Sequence, residues 1–128
     1  MIYRTGIFLF ILFFLPVSAV SQEAVRRYAM IVGANDGGSG RVTLKYAVSD
    51  AASFRDVMIK LGGVSERDSF AVYNPDKRNF FSAMRSLRAR IDQDRNSFRK
   101  SELFFYYSGH SDETGILIGN EKITYSEL

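Results

Sequence analysis

His110 is the only histidine in 128 residues, and it stands in Tyr106-Tyr-Ser-Gly-His-Ser-Asp112, just past a run of apolar and aromatic residues. An imidazole changes charge between about pH 5 and 8, so it can take a proton from a nucleophile and return it to a leaving group. A surface histidine that merely follows a strand would leave the same trace. Neighbouring residues narrow the chemistry. Ser108 and Ser111 flank the ring, but side chains that close in sequence seldom align for proton transfer, and no nucleophile elbow is present. One histidine and no cysteine are too few strong ligands for a transition-metal site. The glycines at 33, 37, 38 and 40 follow a strand-like run, yet lack the Gly-Lys-Ser/Thr ending and the Gly-x-Gly-x-x-Gly spacing of a phosphate cradle.

The elements that position His110 follow from the pattern around it. Residues 103–107 are apolar or aromatic without alternation, which predicts a strand covered on both faces. Residues 28–34 predict another buried strand, and 35–40 a loop. Apolar positions 44, 48, 51, 54, 58 and 61 predict an amphipathic helix that Gly62 and Gly63 end. Residues 70–73 predict a second strand, and Asn74-Pro-Asp76 a turn in which Asn74 or Asp76 caps a helix. That helix buries Phe80, Phe81, Met84, Leu87 and Ile91 and turns Arg85, Arg88, Arg90 and Arg95 outward, a solvated face or a surface for an acidic partner. Residues 115–119 and 122–125, linked by Asn120-Glu121, predict a hairpin. Residues 126–128 predict the opening of a further helix.

Strand, helix, strand, helix, strand predicts a parallel sheet with helices on its faces. Right-handed crossovers bring the carboxyl ends of strands 28–34 and 103–107 to one edge. The 35–40 loop and the 108–112 turn should then face one another across a cleft, where open α/β sheets bind ligands.

Phe105-Tyr-Tyr-Ser-Gly-His110, with Gly115-Ile-Leu-Ile-Gly119 and Ile123-Thr-Tyr-Ser-Glu-Leu128 after it, resembles the caspase-like cysteine peptidases of the metacaspase and bacterial type. Tyr28-Ala-Met-Ile-Val-Gly-Ala-Asn35 resembles their first strand, and Leu44-Lys-Tyr-Ala-Val-Ser-Asp-Ala51 the start of their first helix. The resemblance covers roughly residues 28–128 and departs from the family at Ser111, where glycine is usual. It implies a three-layer α/β/α fold with a mostly parallel central sheet, incomplete at the carboxyl end, and peptide or protein substrates. It implies that His110 is the catalytic acid and base, that Gly109 leaves room for the turn and the substrate, and that the Ser111 N–H helps bind the oxyanion.

For the substrate residue before the scissile bond, the resemblance offers Asp50 and Ser108 as an acidic pocket for Arg or Lys. Asp50 could instead serve the free N–H groups of a helix start. Arg41 could conversely bind an acidic residue, or simply be solvated. No cofactor is implied beyond the calcium some metacaspases need, for which Asp36, Asp112 and Glu113 are the nearby carboxylates, without a recognisable ligand loop.

The cysteine that the family requires would fall about 50 residues past the histidine, beyond Leu128. The chain is therefore expected to be the amino-terminal part of a peptidase, inactive alone, or else a non-catalytic module that binds peptides or partner proteins. Arg4, an apolar stretch over 6–15, and Val17-Ser-Ala19 or Ala19-Val-Ser21 as small-x-small sites predict a signal peptide over 1–21. A linker over 22–27 and the caspase-like portion over 28–128 follow it. The mature protein would be secreted or periplasmic without stable membrane association, or anchored if the signal is not cleaved. Hydrophobic and charged fractions of 46% and 24% suit one small globular domain, and a net charge of +3 without a basic cluster argues against nucleic acid. Nothing in the sequence sets the oligomeric state.

Overall fold

The computed structural model describes residues 25–128; the predicted signal peptide lies outside them. β1 (Val25–Gly33) is flanked by β2 (Ser69–Tyr73) and β3 (Lys100–Ser108), all parallel, in the order β2-β1-β3. α1 (Ala47–Lys60) and α2 (Lys77–Asp94) form the crossovers. Alternate side chains of β1 point to opposite faces. Ala29 and Ile31 meet Ala51, Met58 and Val64 on the α1 side, while Tyr28, Met30, Val32 and Ala34 meet Phe80 and Leu87 on the α2 side. The result is the expected α/β/α layering. Among the described residues no helix is long and apolar enough to cross a membrane.

A second, antiparallel sheet follows β3: β4 (Ser111–Asp112), β5 (Gly115–Ile118) and β6 (Glu121–Thr124). Its Ile116, Ile118 and Ile123 join the α2-side core. The hairpin link is Gly119-Asn120, one residue earlier than its composition suggests, because Glu121 pairs with Ile118 and accepts the Lys77 N–H at 2.7 Å. Asp76 caps α2 by accepting the Asn79 N–H at 2.6 Å. Asn74, the other candidate cap, instead accepts the Asn35 N–H at 2.9 Å and ties the end of β2 to the end of β1.

Several expectations are corrected. β1 begins at Val25, inside the stretch read as a linker, because the charges of Arg26 and Arg27 are paired: Arg27 lies opposite Glu102 in the ladder and bonds it at 2.9 Å. α1 starts at Ala47, leaving Leu44 before it, and Leu61 beyond its end is 83% exposed. Residues 125–127 form a turn closed by the Glu127 carboxylate on the Thr124 N–H, not a helix. β3 is not covered throughout. It stands at the sheet's edge, and Leu103, Phe104 and Phe105 are each more than a third exposed. Arg90 is not on the solvated face either; it bonds the fully buried Asp68 at 3.0 Å.

Candidate functional site

β3 delivers the site. Its last residue, Ser108, pairs with Gly33, and the Ser108 carbonyl accepts the Ala34 N–H at 2.9 Å, carrying the β1 contact one step past the strand. The chain then turns over its own Tyr107. A Cβ on Gly109 would lie 2.2 Å from the Tyr107 hydroxyl oxygen and 3.0 Å from the Ala34 carbonyl oxygen. Gly109 does not adopt a left-handed backbone. Glycine is thus needed for close approach, and the space beside it belongs to the phenol.

The His110 carbonyl points inward, where it accepts the Leu117 N–H at 2.8 Å and the Tyr107 hydroxyl at 2.6 Å. Its ring lies on Gly37: a Cβ there would be 2.2 Å from Cδ2. His110 Nε2 is 2.8 Å from the Val42 carbonyl oxygen. A carbonyl can only accept, so Nε2 carries the proton and the neutral ring keeps its lone pair on Nδ1. Among the described residues Nδ1 has no hydrogen-bond partner.

The 35–40 loop and the 108–112 turn do meet: the His110 ring packs directly on Gly37, while Gly37, Gly38 and Ser39 face Asp112 across a groove of about 310 Å³. The hairpin closes the arrangement: Gly119 N–H donates to the Asp36 carbonyl at 2.9 Å, and Ser39 N–H to Asn120 Oδ1 at 3.0 Å. The His110/Leu117 pair is hydrogen-bonded, so the next pair, Ser111 with Ile116, is of the non-bonded kind. The Ser111 N–H therefore faces away from β5. Ser111 has no positive φ, so serine fits where glycine is usual without backbone strain.

Asp50 and Ser108 are brought to one edge by an aromatic stack. Phe54 and Tyr106 lie parallel with centroids 4.1 Å apart. Asp50 is one turn of α1 from Phe54, roughly 6 Å. Ser108 is two strand residues from Tyr106, roughly 6.6 Å on the same face. Both steps run toward the carboxyl edge of the sheet. Asp50 is exposed in the first turn of α1, and its carboxylate has no partner among the described residues. It is not the cap, because Asn35 Oδ1 accepts the Val48 N–H at 3.0 Å instead.

Arg41 is exposed, donates to the Gly37 carbonyl at 3.2 Å, and lines that groove with Asp112, Asn120 and Lys122. It makes no hydrogen bond to His110, although the adjacent Val42 does. Lys122, 2.6 Å from Asp112, and the Thr114 N–H and hydroxyl hold the Asp112 carboxyl far below the usual carboxylate range. That carboxylate is committed, and among the described residues no group of three or more candidate ligands stands together to hold a metal.

Three contributors escaped sequence reasoning: Gly37, the Val42 carbonyl and Tyr107. Only Tyr107 carried a signal, a phenol inside a buried run whose hydroxyl must find a partner.

Residues 26–127 match the family model of the caspase domain. No curated protein matches the chain. With its layering, its strand order and its histidine turn, the chain belongs to the caspase domain family.

Proposed function

We propose that this chain is the amino-terminal part of an exported caspase-like cysteine endopeptidase, with His110 as its general base and acid. The observation that carries this reading is the 2.8 Å contact between His110 Nε2 and the Val42 carbonyl, which leaves Nδ1 as the basic atom. A thiol brought to Nδ1 would give up its proton there and attack the substrate carbonyl as thiolate. The imidazolium, stabilised at Nε2 by the Val42 carbonyl, would then protonate the leaving amine, and water would release the acyl group. The Ser111 N–H, turned away from β5, suits a donor to the oxyanion.

The sequence contains no cysteine, so on this reading the thiol would come from a segment outside these 128 residues, and the chain alone would be inactive. Arg4 and the apolar stretch after it support export through a cleaved signal, leaving a secreted or periplasmic protein. The free carboxylate of Asp50, in register with Ser108, supports a basic residue before the scissile bond. Arg41, engaged with Gly37, is a poorer candidate for an acidic one.

The test is cleavage of peptides carrying Arg, Lys or Asp at that position by the protein extended to include its cysteine. His110→Ala should lower kcat roughly 100- to 10,000-fold with an unchanged circular dichroism spectrum. Retained cleavage removes His110 from the mechanism. The missing cysteine also favours a second reading, a non-catalytic peptide-binding module. A reading frame that continues past codon 128 without a cysteine on a further buried strand, in a protein that binds peptides unchanged after His110→Ala, would establish that reading instead.

A further inference from the structure

Tyr107 is the penultimate residue of β3, with its side chain on the α2 face. Its hydroxyl oxygen lies 2.6 Å from two carbonyl oxygens, those of His110 and Leu117. Both are acceptors, so the phenol is the donor and its single proton is shared between them. Burial pushes the phenol pKa up to about 12, so the proton is in place throughout the neutral range.

The two carbonyls belong to the pair one step outside the β4–β5 ladder, in which the Leu117 N–H also donates to His110. β4 is only two residues long, so few ladder bonds hold that pair in place. A trans peptide is planar, and its N–H points opposite to its carbonyl. Whatever fixes the His110 carbonyl therefore also aims the Ser111 N–H, and it anchors the backbone from which the imidazole reaches the Val42 carbonyl.

We propose that Tyr107 is a positioning residue whose buried hydroxyl clamps the His110–Ser111 peptide plane, setting the direction of the Ser111 N–H and the seat of the His110 ring. The catalytic consequence rests on the peptidase reading; the clamp is a property of this chain by itself. Gly109 is its necessary complement, since any side chain there would displace the phenol.

The test uses the chain labelled with ¹⁵N, whose single histidine gives one pair of ring nitrogen resonances. In the wild type these should report a ring protonated predominantly at Nε2. Tyr107→Phe should broaden or split the Ser111 and His110 amide signals and make the two ring tautomers more nearly equal, while amides of Ala29 to Val32 keep their shifts. Unchanged Ser111 and His110 signals in a folded Tyr107→Phe overturn the proposal. Should that variant fail to fold, Gly109→Ala, which brings a methyl against the hydroxyl, decides by the same comparison. In the cysteine-containing protein Tyr107→Phe should lower kcat roughly ten- to hundredfold with KM little changed. A wild type without activity defeats the peptidase reading while the ring spectra still judge the clamp; an active wild type matched by Tyr107→Phe in kcat defeats the clamp.

Discussion

Gly37 matters because the His110 ring already fills the space a side chain would take. A Cβ there would sit 2.2 Å from Cδ2, 2.6 Å from Cγ and 2.8 Å from Cβ of the histidine, so rotating the ring alone gives no relief. Gly37→Ala should therefore push His110 off the Val42 carbonyl. The expected result is loss of the Nε2-protonated preference in the ring ¹⁵N spectrum, together with a drop in thermal stability because Gly37 is buried. An unchanged ring spectrum would show that the loop, and not the imidazole, gives way. At this scale the sequence exposed His110, a lone imidazole after an apolar run, and placed Ser108, Gly109 and Ser111 around it. It did not expose Val42, whose contribution is a carbonyl that every residue has. It marked Tyr107 only as a phenol inside a buried run, without saying where the hydroxyl finds its partners.

The elements were legible where apolar side chains alternate against two helices, and were misjudged where charges are buried. Arg26 and Arg27 read as linker and Arg90 as solvated surface, yet these residues help anchor the amino-terminal ends of the strands. Asp68, fully buried just before β2, accepts from Arg90 at 3.0 Å and from the Ser65 hydroxyl. Arg26 Nη2 lies 2.6 Å from Asp68 but outside hydrogen-bonding geometry, so that contact is one of charge. Asp94 joins from α2, 3.4 Å from both arginines, and accepts the Tyr28 hydroxyl. Burial by itself would raise the Asp68 pKa; the Ser65 and Arg90 hydrogen bonds and the Arg26 charge outweigh it and hold the group below its ordinary value. Its stabilisation is then complete above the unfolded carboxylate pKa of about 3.9 and is lost as pH falls through the lower folded value. Asp68→Ala leaves two cations facing each other with one carboxylate between them. It should cost about 3–5 kcal/mol in denaturant unfolding at pH 7. His110 lies near the opposite ends of the strands, roughly seven residues or 23 Å away along β1. Its ring spectrum should be unaffected in the folded fraction, which separates the anchoring of the sheet from the construction of the site.

At the scale of the whole molecule, the same strand that presents His110 carries the least protected apolar surface. β3 has β1 on one side only among the described residues. Leu103 is 49%, Phe104 37% and Phe105 41% exposed, although Tyr106 and Tyr107 beyond them find Phe54 and the α2-side core. A nine-residue edge with an apolar centre and charges only at Lys100 and Glu102 offers a ladder of unpaired N–H and carbonyl groups to any other strand. On the peptidase reading, a cysteine-bearing strand docked at that edge would place its thiol beside the carboxyl end of β3 and hence near His110 Nδ1. Completion of the sheet and completion of the active site would be one event. The 128-residue chain should accordingly self-associate in light scattering as its concentration rises, and Leu103→Lys should suppress this by putting a charge at the edge. The protein extended through the cysteine-bearing strand should stay dispersed without that substitution. Equal association of the short and extended proteins would mean that no cysteine-bearing strand docks on the β3 edge, and the route by which a thiol reaches His110 would have to lie elsewhere.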